Sequence, residues 1–199
     1  MEQKLKSEIT KQLILDTAFK LFYRDGFNLI SINQIMKETA LTKGAFYHHF
    51  KNKEEIGKAV ITEIVEQRIV KNMIDPLYEE GDIIEKLKNI FTLRIKKFSI
   101  YEKEKGCPTN NLINEISGNE EVYRNALKVI IDKWRKVLVK TLDIEREKGT
   151  IKNDVNSNAV AVFLISSFEG VRGLRKLYRD DVIFDNYLLA VNQYIDQLK

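Results

Sequence analysis

Residues Ser31 to Lys53 read SINQIMKETALTKGAFYHHFKNK. Ser31 followed three residues on by Gln34 is a capping box, and Ile30 and Ile35 flank it as a hydrophobic staple. Ile32, Ile35 and Met36 then supply the inward face of a short helix. Thr39-Ala40-Leu41 is a small, apolar turn. Thr42 caps a second helix, with Leu41 and Phe46 placed as its staple. Phe46 and Phe50 lie four apart and point into one core, which leaves Lys43, Gly44, Tyr47 and His48 on the opposite face. A face of this composition suits a polyanion. Two capped helices joined by a tight turn have the form of a DNA-reading helix-turn-helix.

Upstream, Ile14, Ala18, Leu21 and Phe22 share one face of a helix expected over 8–24, and Gly26 stops it. Downstream, Asn52-x-x-Glu55 is a second capping box. It opens a helix from Lys53 through Ile56, Val60 and Ile64 to about Met73, ended by Asp75-Pro76. A third box, Asp82 to Glu85, opens a helix whose buried face is Ile84, Leu87, Phe91, Ile95 and Phe98. Glu102 to Gly106 reads as its charged end. Pro108 starts a short helix that Gly118-Asn119 breaks. A long helix over 120–148 carries a wide apolar face that includes Ile130, Trp134 and Leu138. Two further helices are expected, one from 156–158 to Asp180 and one from Phe184 to Leu198. The expected fold is therefore all-α, with about nine helices.

Two prolines and nine glycines in 199 residues agree with long helices. The single Cys107 excludes an internal disulfide and fits a reducing cytoplasm. The longest apolar run, Ala159 to Ile165, is far short of a membrane span, and no membrane partner is expected. Net charge is +4. Residues 1–60 hold ten Lys/Arg against seven Asp/Glu, and residues 61–199 hold 23 against 22, so the excess sits with the helix-turn-helix. That distribution favours steering towards phosphate.

The N-terminal stretch resembles the DNA-binding domain of tetracycline-repressor-type (TetR/AcrR) transcriptional regulators. The residues that carry the resemblance are Leu13-Ile14, Ala18, Leu21-Phe22, Gly26-Phe27, Ser31-Ile32, Ile35, Ala40, Thr42-Lys43-Gly44, Phe46 to Phe50 and Lys53-Glu54-Glu55. They run without a gap over residues 8–58. Gly106-Cys107-Pro108-x-x-Asn111-Leu112 is similar to a segment of some members. The resemblance implies a helix-turn-helix domain over 1–52, a linking helix over 53–74, and a ligand-binding and dimerisation domain over 75–199. By the same resemblance, Lys43 and Gly44 approach base edges, and Tyr47, His49 and Lys53 contact phosphate. Lys43 suits guanine O6/N7 or phosphate alike. The hydroxyls of Ser31 and Thr42 sit at helix N-termini that favour an anion. Asn33 and His48 complete the candidate DNA set.

The implied partners are double-stranded DNA, a second copy of the chain and a small-molecule effector. Phe91, Phe98, Trp134 and Phe163, with Cys107 and the polar Tyr101, Asn111 and Asn114, are the candidate effector pocket. Apolar and aromatic residues suit a plain core and a cavity wall alike. Apolar residues late in a chain already supplied with a core suggest an interface. The candidate dimer face is Ser167, Gly170, Val171, Leu174 and Tyr178 on one helix, and Phe184, Tyr187, Leu188, Val191 and Ile195 on the next.

No acid, base and nucleophile grouping stands out. His48 and His49 are adjacent and diverge by about 100° on a helix, so a shared metal is not expected. No cofactor motif is present. The expectation is a cytoplasmic, non-enzymatic homodimeric repressor released from a palindromic operator by a small molecule. The alternative is a helical ligand-binding or scaffolding protein without operator binding, which would have no need of the Lys43, Tyr47 and Lys53 set.

Overall fold

The computed structural model describes residues 2–116 and 121–199, and every described element is helical. The helices are α1 (Glu2–Asp25), α2 (Ile32–Thr39), α3 (Lys43–His49), α4 (53–74), α5 (Ile83–Lys96), α6 (Ile100–Lys105), α7 (Pro108–Ile116), α8 (Glu121–Glu147), α9 (Ser157–Tyr178) and α10 (Val182–Asp196). The expected break at Gly118-Asn119 lies outside the described residues.

Local sequence explains most boundaries. Gly26 takes φ +94° after α1, and Gly149 takes φ +73° after α8. Both are left-handed stops that a side chain would strain. The Asp82 carboxylate accepts from the backbone N–H of Ile84 and Glu85 and starts α5. Asn156 does the same for α9 through the Ala159 N–H. Helix α6 is an addition to the expected set. Ser99 and Glu102 form a complete capping box there, so the stretch that reads as the charged end of α5 is a helix of its own. Phe98 is buried between the two helices rather than within α5.

Helix α4 is not uniform. Lys53–Ala59 is α-helical, Val60–Val65 is π-helical, Glu66–Ile69 is α-helical again, and Val70–Ile74 is a second π segment. A 3₁₀ turn over Asp75–Tyr78 follows, with Pro76 in its first turn, where a missing N–H costs nothing. π segments inside helices are uncommon and concentrate at functional positions.

The chain packs as two compact units. One combines Met1–Gln67 with Pro108–Val129, and the other combines Arg68–Cys107 with Ile130–Lys199. The sequence reading assigned 108–129 to the C-terminal domain; by packing it belongs with α1 to α3. The reason is a close approach at Gly57. A Cβ there would lie 2.7 Å from Phe27 Cε2 and 2.9 Å from Tyr123 Cε1. Glycine thus admits both rings against α4, and the rings themselves meet edge to face at 5.1 Å. Helix α7 is tied in as well, because the Glu115 carboxylate accepts from the Phe27 N–H at 2.6 Å.

In the second unit, Phe168 is the hub of the core. Its ring meets Phe91 at 5.7 Å, Trp134 at 6.2 Å and Phe98 at 6.2 Å, and Phe98 in turn meets Phe184 at 6.1 Å. Helix α9 buries Val160, Leu164, Phe168 and Val171. The exposed side of the same helix runs through Phe163, Gly170 and Leu174. The sequence SNAVAVFLISSFEGVRGLRKLY is apolar on more than one face, so its phase is ambiguous without the packing partners.

Candidate nucleic-acid interface

Helix α2 begins with a full capping box. Ser31 Oγ accepts from the Gln34 N–H at 3.3 Å, and Gln34 Oε1 accepts from the Ser31 N–H at 2.7 Å. The helix ends at Ala40, whose φ of 55° is left-handed without being glycine. Thr42 Oγ1 then caps α3 by accepting from the Ala45 N–H at 3.3 Å. Phe46 and Phe50 are buried, with ring centroids 5.7 Å apart, and fix which side of α3 faces inward. Ile30 and Ile35 are buried as the staple requires.

The opposite side is open. Ser31, Asn33, Thr42, Lys43, Gly44, Tyr47 and His48 are exposed, and His49 and Lys53 are half-buried. Tyr47 keeps 56% of its surface exposed, and its ring rests edge-on against Phe46 at 5.4 Å. Its ring is therefore positioned while more than half of the residue stays exposed. Lys53 Nζ donates to the Asn28 carbonyl at 3.2 Å and lies 4.5 Å from the centre of the Phe27 ring. These contacts hold a cation beside the start of α4. Burial, then the neighbouring His48, lowers the pKa of His49 below the ordinary value, which favours the neutral ring. A neutral imidazole still donates one N–H.

The second capping box departs from expectation in one detail. Asn52 Oδ1 accepts from the Glu55 N–H at 2.8 Å, but the Glu55 carboxylate accepts from the Lys51 N–H rather than from that of Asn52. It satisfies a donor one residue earlier and ties the end of α3 to the start of α4.

These helices match known proteins. Residues 14–60 fit the profile of bacterial regulatory proteins of the tetR family, and residues 84–191 fit the tetracyclin repressor-like C-terminal domain. The chain belongs to the TetR family. It is 26% identical over 183 residues to the HTH-type transcriptional repressor DhaR of Mycobacterium sp. (strain GP1), covering 91% of this chain and 89% of that protein. It is 34% identical over 137 residues to an uncharacterised HTH-type regulator from the lacX 3' region of Lactococcus lactis subsp. lactis, covering 67% of this chain and 68% of that one. A TetR regulator from Chloroflexus aurantiacus superposes with a TM-score of 0.84 at 21% identity, over 96% of both chains. As a member of this family the protein is a DNA-binding transcriptional regulator and not an enzyme. No helix among the described residues is long and apolar enough to cross a membrane.

The other expected sets are divided by the fold. Phe91, Phe98, Cys107 and Trp134 are buried in the second unit. Tyr101 and Phe163 are exposed by 43% and 42%, and Phe163 packs at 4.3 Å on Tyr194 instead of on the aromatic core. Asn111 and Asn114 lie on α7 in the first unit, half-buried and exposed respectively. Among the candidate dimer residues, Gly170, Leu174 and Tyr178 are exposed, and Ser167, Tyr187 and Leu188 are half-buried. Val171, Phe184, Val191 and Ile195 are buried inside the chain itself.

Sequence reasoning missed Phe168 and two charged groups beside it, Glu169 and Arg172. Arg172 is buried at 5% exposure, donates to the Gly106 carbonyl at 3.1 Å, and stacks 4.3 Å from the Phe98 ring centre. Burial pushes the Glu169 carboxyl upward in pKa, against the opposing pull of Arg172 and of a hydrogen bond with Cys107. Glu169 Oε2 and Arg172 Nε are buried without a hydrogen-bond partner among the described residues. A charged i, i+3 pair on an otherwise apolar face was the available signal.

Proposed function

We propose that the protein is a homodimeric repressor that leaves a palindromic operator when a small molecule binds its C-terminal domain. The observation that carries this reading is one chain holding two exposed faces of opposite character. The polar face of α3 suits DNA. The second face is apolar: on α9, Phe163, Leu174 and Leu177 are exposed by 42%, 51% and 73%, and Leu189 on α10 by 61%. An exposed apolar stripe of this kind favours pairing with a second copy. Gly170 and Gly173 on α9 have open space where a Cβ would stand, which permits close helix approach.

In this reading Lys43 and Gly44 meet base edges, with Asn33 beside them. Tyr47, His49 and Lys53 hold phosphate, and Ser31, Thr42 and His48 add polar contacts. The functional division is 1–52 for DNA, 53–74 as connecting helix and 75–199 for effector and partner. The effector contacts the aromatic group of Phe91, Phe98 and Trp134, and the unpartnered atoms of Glu169 and Arg172 offer it polar anchors. Buried polar atoms without partners are rare in native proteins and call for a ligand or ordered water. Release follows if the effector binds the DNA-incompetent arrangement more tightly, acting through the continuous helix α4. The working compartment is the cytoplasm. DhaR is described as a repressor, which supports the sign of regulation.

The test is protection of the DNA flanking the coding region by purified protein. A two-fold symmetric footprint is expected, with half-site centres about 34–36 Å apart or a multiple of that. Full-affinity binding by a monomer to one half-site would remove the dimer from the argument.

A further inference from the structure

The second unit carries a cleft that neither the DNA face nor the aromatic core accounts for. Its volume is about 290 Å³. One wall is the π-helical end of α4, with Lys71 and Asn72; the other is α5, with Lys86, Asn89 and Arg94, and Lys97 directly after it. Ile90 and Leu93 give it an apolar strip, and Glu79 is the only carboxylate among its lining residues.

The four cations are incompletely compensated, Lys86 being near enough to Glu145 to interact with it. Lys86 Nζ is held by two neutral acceptors, the carbonyls of Leu77 at 3.2 Å and Glu79 at 2.9 Å. Arg94 shares a single oxygen, Glu102 Oε1, with Arg68, at 3.2 Å and 2.6 Å. Glu102 is therefore not the partner of Arg94 alone. Lys71 and Lys97 are exposed at the rim. Charge of one sign in a concavity with low-dielectric walls concentrates its field, which the same lysines on a convex surface would not do. Burial, ahead of the opposing pull of Glu102, lowers the pKa of Arg94, and the nearby Arg172 and Arg68 push it the same way. That group gains from another anion.

We propose that this cleft binds a small polyanionic metabolite, a polycarboxylate or phosphorylated compound with a short carbon body. The volume sits at the lower end of small-molecule sites, about 300 Å³, so the ligand is small. The anionic groups pair with Lys71 and Lys97 at the rim and with Arg94 at depth, and the carbon body lies on Ile90 and Leu93. An anion at Arg94 competes with Glu102, the same carboxylate that holds Arg68 of α4. The site is separate from the effector contacts proposed above.

Calorimetric titration of the full chain without DNA tests it, with inorganic pyrophosphate and citrate as probes at low salt. Binding of at least one probe is expected, and which one binds identifies the ligand type. The double variant Lys71→Gln, Lys97→Gln should weaken it about tenfold, the sum of two partly exposed ion pairs. Glu79→Gln should tighten it, an outcome that misfolding cannot imitate. Lys136→Gln with Lys140→Gln, the same charge change at a cleft that also holds Asp143 and Glu147, should leave it unchanged. Silence with both probes overturns the proposal. Equal weakening in the two double variants overturns it too, since binding would then follow net charge alone. Because no DNA is present, a negative result here leaves the repressor reading standing, and a failed footprint leaves this site standing.

Discussion

Gly44 has room for a side chain. A Cβ there would meet only Thr42 Oγ1, at an ordinary 3.7 Å, and the residue is helical with no positive φ. The fold therefore does not require glycine at this position, and alanine would favour the helix by up to about 1 kcal/mol. Gly44→Ala should keep or raise the melting temperature while weakening operator binding, because under the proposed docking the methyl would stand between α3 and the base edges. Unchanged affinity would mean that no base approaches there. Lys43 and Tyr47 should divide differently. Tyr47→Phe should cost about 1 kcal/mol on every sequence, the loss of one phosphate hydrogen bond. Lys43→Ala should cost about 1–3 kcal/mol at one operator position only. Titration against single-base operator variants separates the two; a uniform loss for Lys43→Ala would make it a phosphate anchor. His49 sets a pH dependence. Its pKa is lowered by burial first, then by His48 and Lys11, with Glu8 opposing. Below the ordinary value of about 6.5 the unfolded chain takes up a proton that folded His49 resists. Acidification through that range thus costs stability, and the effect is absent above it. Phosphate favours the protonated ring, so operator affinity should rise as pH falls through the range in which His49 takes up its proton. His49→Gln should flatten that rise, and an unaltered profile would exclude His49 from the contact.

At the scale of elements, α4 depends on Gly57. Alanine there would press within 3 Å of two rings, and Phe27 is itself packed against Phe22 at 4.8 Å and Lys53 at 4.5 Å. Overpacking of this kind costs about 1–3 kcal/mol, against about 1 kcal/mol of helix propensity gained. Gly57→Ala should lower the melting temperature by a few degrees; a rise would mean the rings repack freely. This dependence was invisible in the sequence because it joins positions 57 and 123, far apart along the chain. The helix-turn-helix was legible for the opposite reason. Its caps at Ser31, Thr42 and Asn52 act within four residues, and the Phe46/Phe50 pair fixes the inward side of α3 unaided. Helix α6 was hidden because Ser99 and Glu102 follow the charged end of α5 without an intervening glycine or proline. Phe163 was placed in the pocket instead of Phe168 because either could anchor α9, and only their neighbours decide: Phe91 on α5 and Trp134 on α8 for Phe168, Tyr194 on α10 for Phe163.

For the whole molecule, assembly is the open variable. Val191 and Phe184 are buried at 2% and 4% exposure, so acidic residues there would unfold the chain and say nothing of pairing. Leu177 and Leu189 are exposed, so Leu177→Asp with Leu189→Asp should leave helicity intact and yield monomers by light scattering. Operator affinity should fall with it, because one helix-turn-helix reads only half a palindrome. A folded dimer in this variant would move the interface off α9 and α10.

The unit that contains α1 to α3 is assembled from two stretches that are not adjacent in sequence. Its DNA reader is therefore not a portable module. A hybrid regulator made by grafting residues 1–67 onto the sensor of another family member would bring Gly57 and Phe27 without the Tyr123 and Glu115 that meet them. Such a hybrid should recover stable, switchable DNA binding only when 108–129 travels with the graft. Gene fusions that exchange readers between sensors face the same constraint, so Gly57 and Tyr123 should be inherited, or replaced, as a pair.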